Sequence, residues 1–305
     1  LKQSIWIKKC QCSCASRALM PFIVQGWVGS QRIRWPLWCG TDPPCPMDCI
    51  TSQQFWPFFV LHGVLFYGTA IVIMALKRYG HWPKHTGFDS RYDSIFYVAS
   101  HIPMAVMAFP LGIMGLVSAH EIWISGDPRL QFGELRSPMI NEGCVWFASY
   151  LVLDTLLVVI HGYGDKELFV HHAIFGTAAW LGAYQCALPL LGAVFVTQEL
   201  STPWLNTFML LRAYKGLQNL WTQAMFLVFA ANFYVFRVMV NSVHCVLFLR
   251  EVVRGFSQPS NFTISRAAQW LFLALIVGAT VLQLHWGRII TKKLYGALRK
   301  PSKSK

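Results

Sequence analysis

Residues 55–76, FWPFFVLHGVLFYGTAIVIMAL, run for 22 positions without a formal charge and stop at Lys77 and Arg78. At 1.5 Å per helical residue, that length crosses a bilayer core about 30 Å thick. Comparable apolar runs recur at about 95–117, 144–160, 221–249 and 268–287. An apolar stretch at 173–196 continues through QELSTPWLNTFMLL to 211, so 172–211 spans 40 residues, about two crossings. Pro189 lies near its middle. Proline lacks a donor and clashes with the preceding turn, so two shorter, broken helices are expected there. The chain reads as all-α, a polytopic membrane protein of about seven helices.

Composition points the same way. Charged residues make up 13% of the 305, about half the usual share for a soluble domain. Too few charged faces exist to keep the chain dissolved, which excludes a disordered chain, a disulfide mini-protein and most soluble enzymes. The net charge of +13 sits largely in the terminal blocks, residues 1–34 and 288–305. That distribution suits juxtamembrane contacts with anionic headgroups and gives no reason to expect a nucleic-acid partner.

Three regions follow. Residues 1–54 are rich in Cys, Trp and Pro, 55–293 hold the spans, and 294–305 form a basic tail. The loop after the first span (77–93) has four basic and two acidic residues, and the next loop (118–143) has two basic and four acidic. The positive-inside tendency then puts the C-terminus in the cytosol and, with seven crossings, the N-terminus on the lumenal side. The Asn261 sequon falls on the lumenal side as well. Residues 1–46 carry a net +5 on that side, against the same tendency. They are expected to lie outside the fold and outside the native mature protein, with a start near Met47.

Ionisable residues inside spans are costly and mark interior pairs or functional sites. Asp154, Glu199 and Arg237 are such residues, and pairing of Arg237 with Asp154 or Glu199 is the structural alternative. His171 and His172 open the fourth span, and His101 lies in the second. His62 and His285 read as packing residues. Neighbours on a helix point about 100° apart, so both histidines rarely face one small site. One could act as base or nucleophile beside a carboxylate. The pair lacks the i, i+4 spacing of a zinc site, so no metal is expected.

Arg91, Ser94 and Ser100-His101, then ASYLVLD (148–154), VHH (170–172), NFYVFRVMV (232–240) and LQLHWGRIITKK (282–293) occur in an order that resembles the TLC domain. That family includes translocation-associated membrane proteins, ceramide synthases and the neuronal ceroid lipofuscinosis branch. The resemblance implies a barrel of six helices, a polar cavity and a site in the endoplasmic reticulum membrane. Where ceramide synthases continue with a His-Asp pair, this chain has QELSTPWLN (198–206), similar to the non-synthase TLC-domain proteins. The resemblance therefore implies lipid binding, sensing or transport, with membrane lipids as partners. Its lining would be His101, Asp154, His171, His172, Glu199, Ser201, Asn206 and Arg237. An acyltransferase using His171, His172 and Asp154, with acyl-CoA as co-substrate and no resident cofactor, is the rival. An accessory subunit of a larger membrane assembly is a third reading.

Overall fold

The computed structural model describes residues 52–82, 94–126, 138–185, 188–257 and 266–299. The expectations for residues 1–46, Arg91 and the Asn261 sequon lie outside the described residues. All regular structure among the described residues is helical, as a bilayer demands: a helix satisfies its own backbone without water.

Seven rods run up and down. They are α1 (Ser52–Arg78), α2 (Ile95–Ser125), α3 (Pro138–His161) and α4 (Lys166–Gln185). The fifth rod joins α5 (Pro189–Thr197), a 3-10 turn (Gln198–Ser201) and α6 (Thr202–Lys215). The sixth joins α7 (Leu220–Asn232), a π-helical segment (Phe233–Val240) and α8 (Asn241–Ser257). The last is α9 (Arg266–Arg299). Ring contacts fix the alternation of the first four. Phe55 of α1 meets Trp180 of α4 at one end of the bundle, while Phe96 at the start of α2 stacks on His161 at the end of α3 at the other.

The helices run further than the apolar runs suggest. α2 continues past 117 to Ser125, α3 starts at Pro138 rather than near 144, and α4 starts at Lys166. His171 and His172 therefore sit in the second turn of α4, not at its start. A cap explains the earlier start of α4: Asp165 Oδ1 accepts from the Leu168 amide; at the start of α2, where the apolar run begins, Ser94 Oγ accepts from Tyr97, each satisfying a donor that a helix start leaves free. At the far end of α2, Gly126 takes the left-handed conformation that closes a helix without a Cβ clash.

The expected break at Pro189 is present. α4 ends at Gln185, and Pro189 occupies the first turn of α5, where its missing N–H costs nothing. Leu188 before it is left-handed, at φ 56°, an unusual conformation for a bulky residue, held by complete burial. A second proline shapes the same rod. Pro203 cannot donate to the Glu199 carbonyl, and the Thr202 amide takes that carbonyl instead. The result is the tight turn over Gln198–Ser201.

The barrel is not hollow throughout. α5 is buried on all sides by α2, α3, α4 and α8, so one half of the expected cavity is filled by a helix that is apolar all round. α2 reaches it through Gly112 and Gly115, where side chains would collide with Leu200 and Thr197. α1 packs chiefly on α2 and α3, outside this ring, and meets α4 through Phe55 and Trp180.

Five stretches are long and apolar enough to span a membrane: Phe55–Arg78, Ile95–Ser125, Met139–His161, Leu220–Arg254 and Ala267–Gly296. The two rods that fall short, α4 and α5–α6, carry His171, His172, Glu199, Ser201 and Asn206. Their lower hydropathy reflects the polar groups they bring into the interior.

Candidate functional site

Asp154 on α3 is fully buried in mid-bundle. His172 Nε2 lies 3.3 Å from its Oδ2, and His62 Nε2 from α1 lies 4.0 Å from its Oδ1. Thr155 Oγ1 is 2.7 Å from the Leu151 carbonyl one turn back and 2.8 Å from His172 Nδ1. A hydroxyl has one proton. Given to the Leu151 carbonyl, it leaves Oγ1 as an acceptor, and His172 Nδ1 becomes the donor. His172 Nε2 is left 3.3 Å from Asp154 Oδ2, without the alignment of a hydrogen bond.

A second cluster surrounds Arg237, which lies midway along the π segment. Arg237 donates through Nη2 to Glu199 Oε1 at 3.0 Å and Thr202 Oγ1 at 2.7 Å, and through Nε to Ser201 Oγ at 2.6 Å. The acceptors come from the 3-10 turn and its next residue, so a tightened helix faces a widened one across the site. Such departures from α geometry recur at functional positions. Of the two carboxylates the sequence offered, Arg237 takes Glu199. Charge-assisted bonds of this kind keep a buried guanidinium tolerable.

His101 and Asn206 link α2 to α6. The Asn206 amide nitrogen donates to the Thr202 carbonyl at 2.9 Å, which leaves its Oδ1 to accept from His101 Nδ1 at 2.8 Å. His101 Nε2 is thus an acceptor, and it is buried without a hydrogen-bond partner among the described residues. The same is true of both Asp154 oxygens, both His62 nitrogens, His171 Nδ1 and Glu199 Oε2.

His171 turns away from Asp154. Its ring lies 4.4 Å from Phe175 and 5.2 Å from Trp286 of α9, centre to centre. Trp286 Nε1 donates to Glu167 Oε2 at 2.8 Å, and His285 Nε2 is 3.6 Å from Glu167 Oε1. Glu167 and His285 are exposed, so Trp286 and its acceptor close the approach to His171 between α4 and α9. Further along the bundle, Phe147, Phe175 and Phe195 form a ring layer. A small apolar pocket lies beyond it, lined by Cys144, Ala178, Gly182, Gly192 and Phe272 among others.

All eight candidate residues named from the sequence are buried, and the structure gathers them into these adjoining groups. Sequence reasoning missed several neighbours. His62 was set aside as packing, yet it faces Asp154. Thr155, Thr202 and the amide network also went unread: Gln198 donates to Asn241, Asn241 to Thr280, and Gln283 to Gln198. The available signal was an amide or hydroxyl interrupting an apolar run, as in VMVNS or VLQLH. No group of three or more His, Cys, Asp or Glu side chains among the described residues converges as a metal site would require.

These features define a polytopic α-helical membrane protein with a buried, incompletely satisfied polar centre. The family model of the TLC domain matches residues 51–292, and the chain belongs to that family. A search of curated proteins returns no match.

Proposed function

We propose that the protein binds a membrane lipid at this centre and acts in lipid handling: binding, sensing or transport. The observation that carries the reading is the set of unpartnered buried polar atoms on Asp154, His62, His101, His171 and Glu199. Leaving one such group unmade costs about 1–3 kcal/mol, and native interiors keep few of them. A headgroup or carbonyl supplies the missing partners. An acyl chain would lie against the apolar faces of α4 and α9, beside Trp286. The family assignment supports the same reading, with the endoplasmic reticulum as the membrane in question.

One geometric feature favours a second reading. The Thr155–His172–Asp154 chain is built like a base oriented by its neighbours, which suits acyl transfer from acyl-CoA to a lipid acceptor. The absence of a His-Asp pair from QELSTPWLN counts against it.

Photo-crosslinking with a diazirine fatty acid in liposomes, followed by peptide mapping, tests the first reading. Adducts on α4 and α9 around His171 and Trp286, reduced severalfold by Asp154→Asn and His171→Ala, are expected. Labelling confined to outward-facing α1 and α7 residues would leave the protein as a structural subunit. Lipid profiles of cells expressing His171→Ala or His172→Ala decide on acyl transfer, which predicts loss of a product in both.

A further inference from the structure

We propose that the lipid bound at this centre carries hydrogen-bond donors in its headgroup, O–H or N–H, and that these meet Asp154 and Glu199. The inference rests on the lipid-binding reading and adds the chemistry of the ligand. It follows from the lone pairs that the fold leaves over. Glu199 gives Oε1 to Arg237 Nη2, and its Oε2 has no hydrogen-bond partner among the described residues. A carboxyl group bonded to a guanidinium is ionised, so Oε2 is an acceptor. Both Asp154 oxygens also lack a hydrogen-bond partner among the described residues. The histidine nitrogens beside them, at 3.3 Å and 4.0 Å, leave them open to a third group. A carboxyl group keeps an acceptor oxygen in either protonation state.

Two further side chains have their roles fixed by the partners they do have. Gln283 Nε2 donates to Gln198 Oε1 at 3.2 Å, Gln198 Nε2 to Asn241 Oδ1 at 2.8 Å, and Asn241 Nδ2 to Thr280 Oγ1 at 3.0 Å. Thr280 spends its own proton on the Ile276 carbonyl, so each amide has one orientation. The atom left over is Gln283 Oε1, a buried acceptor. His101 Nε2 is another, since Nδ1 donates to Asn206. Against these acceptors, a neutral His62 supplies one unspent N–H, and His171 Nδ1 is a single atom of either kind. The interior is short of donors. An ester carbonyl can serve a histidine N–H, but it brings lone pairs that the carboxyl groups cannot use. A hydroxyl or ammonium group relieves the shortage. Charge agrees, because Asp154 and Glu199 are two carboxyl groups against the one guanidinium of Arg237. Tyr150, buried one turn before Asp154, has its hydroxyl within electrostatic reach of all three. The two carboxyl groups therefore lie about one hydroxyl rather than at opposite ends of the bundle.

Two matched pairs of photo-crosslinking lipids, with identical diazirine acyl chains, test this on the full chain in liposomes. Diacylglycerol is compared with its methyl ether, which lacks the hydroxyl proton. Phosphatidylethanolamine is compared with phosphatidylcholine, which keeps the phosphate and the positive charge but has no N–H. In at least one pair, adducts around His171 and Trp286 should favour the donor lipid about tenfold, equivalent to about 1.4 kcal/mol, the scale of one hydrogen bond to a charged group. The pair that shows the contrast tells a hydroxyl from an ammonium ligand. Asp154→Asn, which replaces one acceptor oxygen with a donor, should bring that ratio toward one; an unchanged ratio overturns the assignment to Asp154. Equal labelling within both pairs overturns the proposal while the lipid reading stands. Labelling by none of these lipids removes the lipid reading, and this inference with it.

Discussion

Gly115 of α2 and Thr197 of α5 stand so close that a Cβ at position 115 would collide with the Thr197 amide nitrogen and lie 2.8 Å from the Ala193 carbonyl oxygen. The obstacle is backbone, which cannot rotate away. Gly115→Ala should push α2 off the central helix and cost about 1–3 kcal/mol, the usual range for overpacking. Gly68→Ala on α1 has nothing within 4 Å of the new carbon and should be neutral or mildly stabilising. Thermal unfolding of both variants in detergent, followed by size-exclusion chromatography, makes the comparison; equal melting of the two would contradict the packing described.

The Arg237–Glu199 pair predicts strong non-additivity. Arg237→Met alone strands a buried carboxylate beside Ser201 and Thr202, at a cost of about 3–5 kcal/mol. Combined with Glu199→Gln, which removes the charge left behind, much of that loss should return. A double variant as unstable as the sum of the singles would show that the two side chains are independent.

Trp286 covers His171 while hydrogen-bonded to Glu167. Trp286→Ala should raise the rate at which maleimide labels a cysteine introduced as His171→Cys, measured by peptide mass spectrometry against the native cysteines. Glu167→Gln, which keeps an acceptor oxygen, should have a smaller effect than Trp286→Ala. Unchanged labelling in the tryptophan variant would place the approach to His171 elsewhere.

If all seven rods cross the bilayer, Ser52 at the start of α1 and Arg299 at the end of α9 lie on opposite sides of it. With the basic tail cytosolic, protease added to sealed microsomes should remove the C-terminal residues beyond 299 and leave the lumenal side intact. Protection of the tail would reverse the orientation.

What the sequence by itself determined follows from the solvent. A bilayer accepts only chains that satisfy their own backbone, so long uncharged runs had to be helices, and Pro189 had to interrupt one. The same reasoning put Asp154, Glu199 and Arg237 inside, because facing hydrocarbon unpaired is too costly. Pairing was legible only as a choice, and the fold made it: Arg237 bonds Glu199 because the 3-10 turn and the π segment meet, 38 positions apart in sequence. His62 looked like packing because one histidine in an apolar run carries no pattern; its place 4.0 Å from Asp154 comes from α1 crossing α3. The longer α4 came from Asp165 capping it ahead of its apolar run, and the filled part of the barrel from α5 entering a ring of neighbours. Local chemistry fixes which segments leave water and which groups need partners. Tertiary structure alone decides which partner each group meets, since that depends on how helices distant in sequence cross.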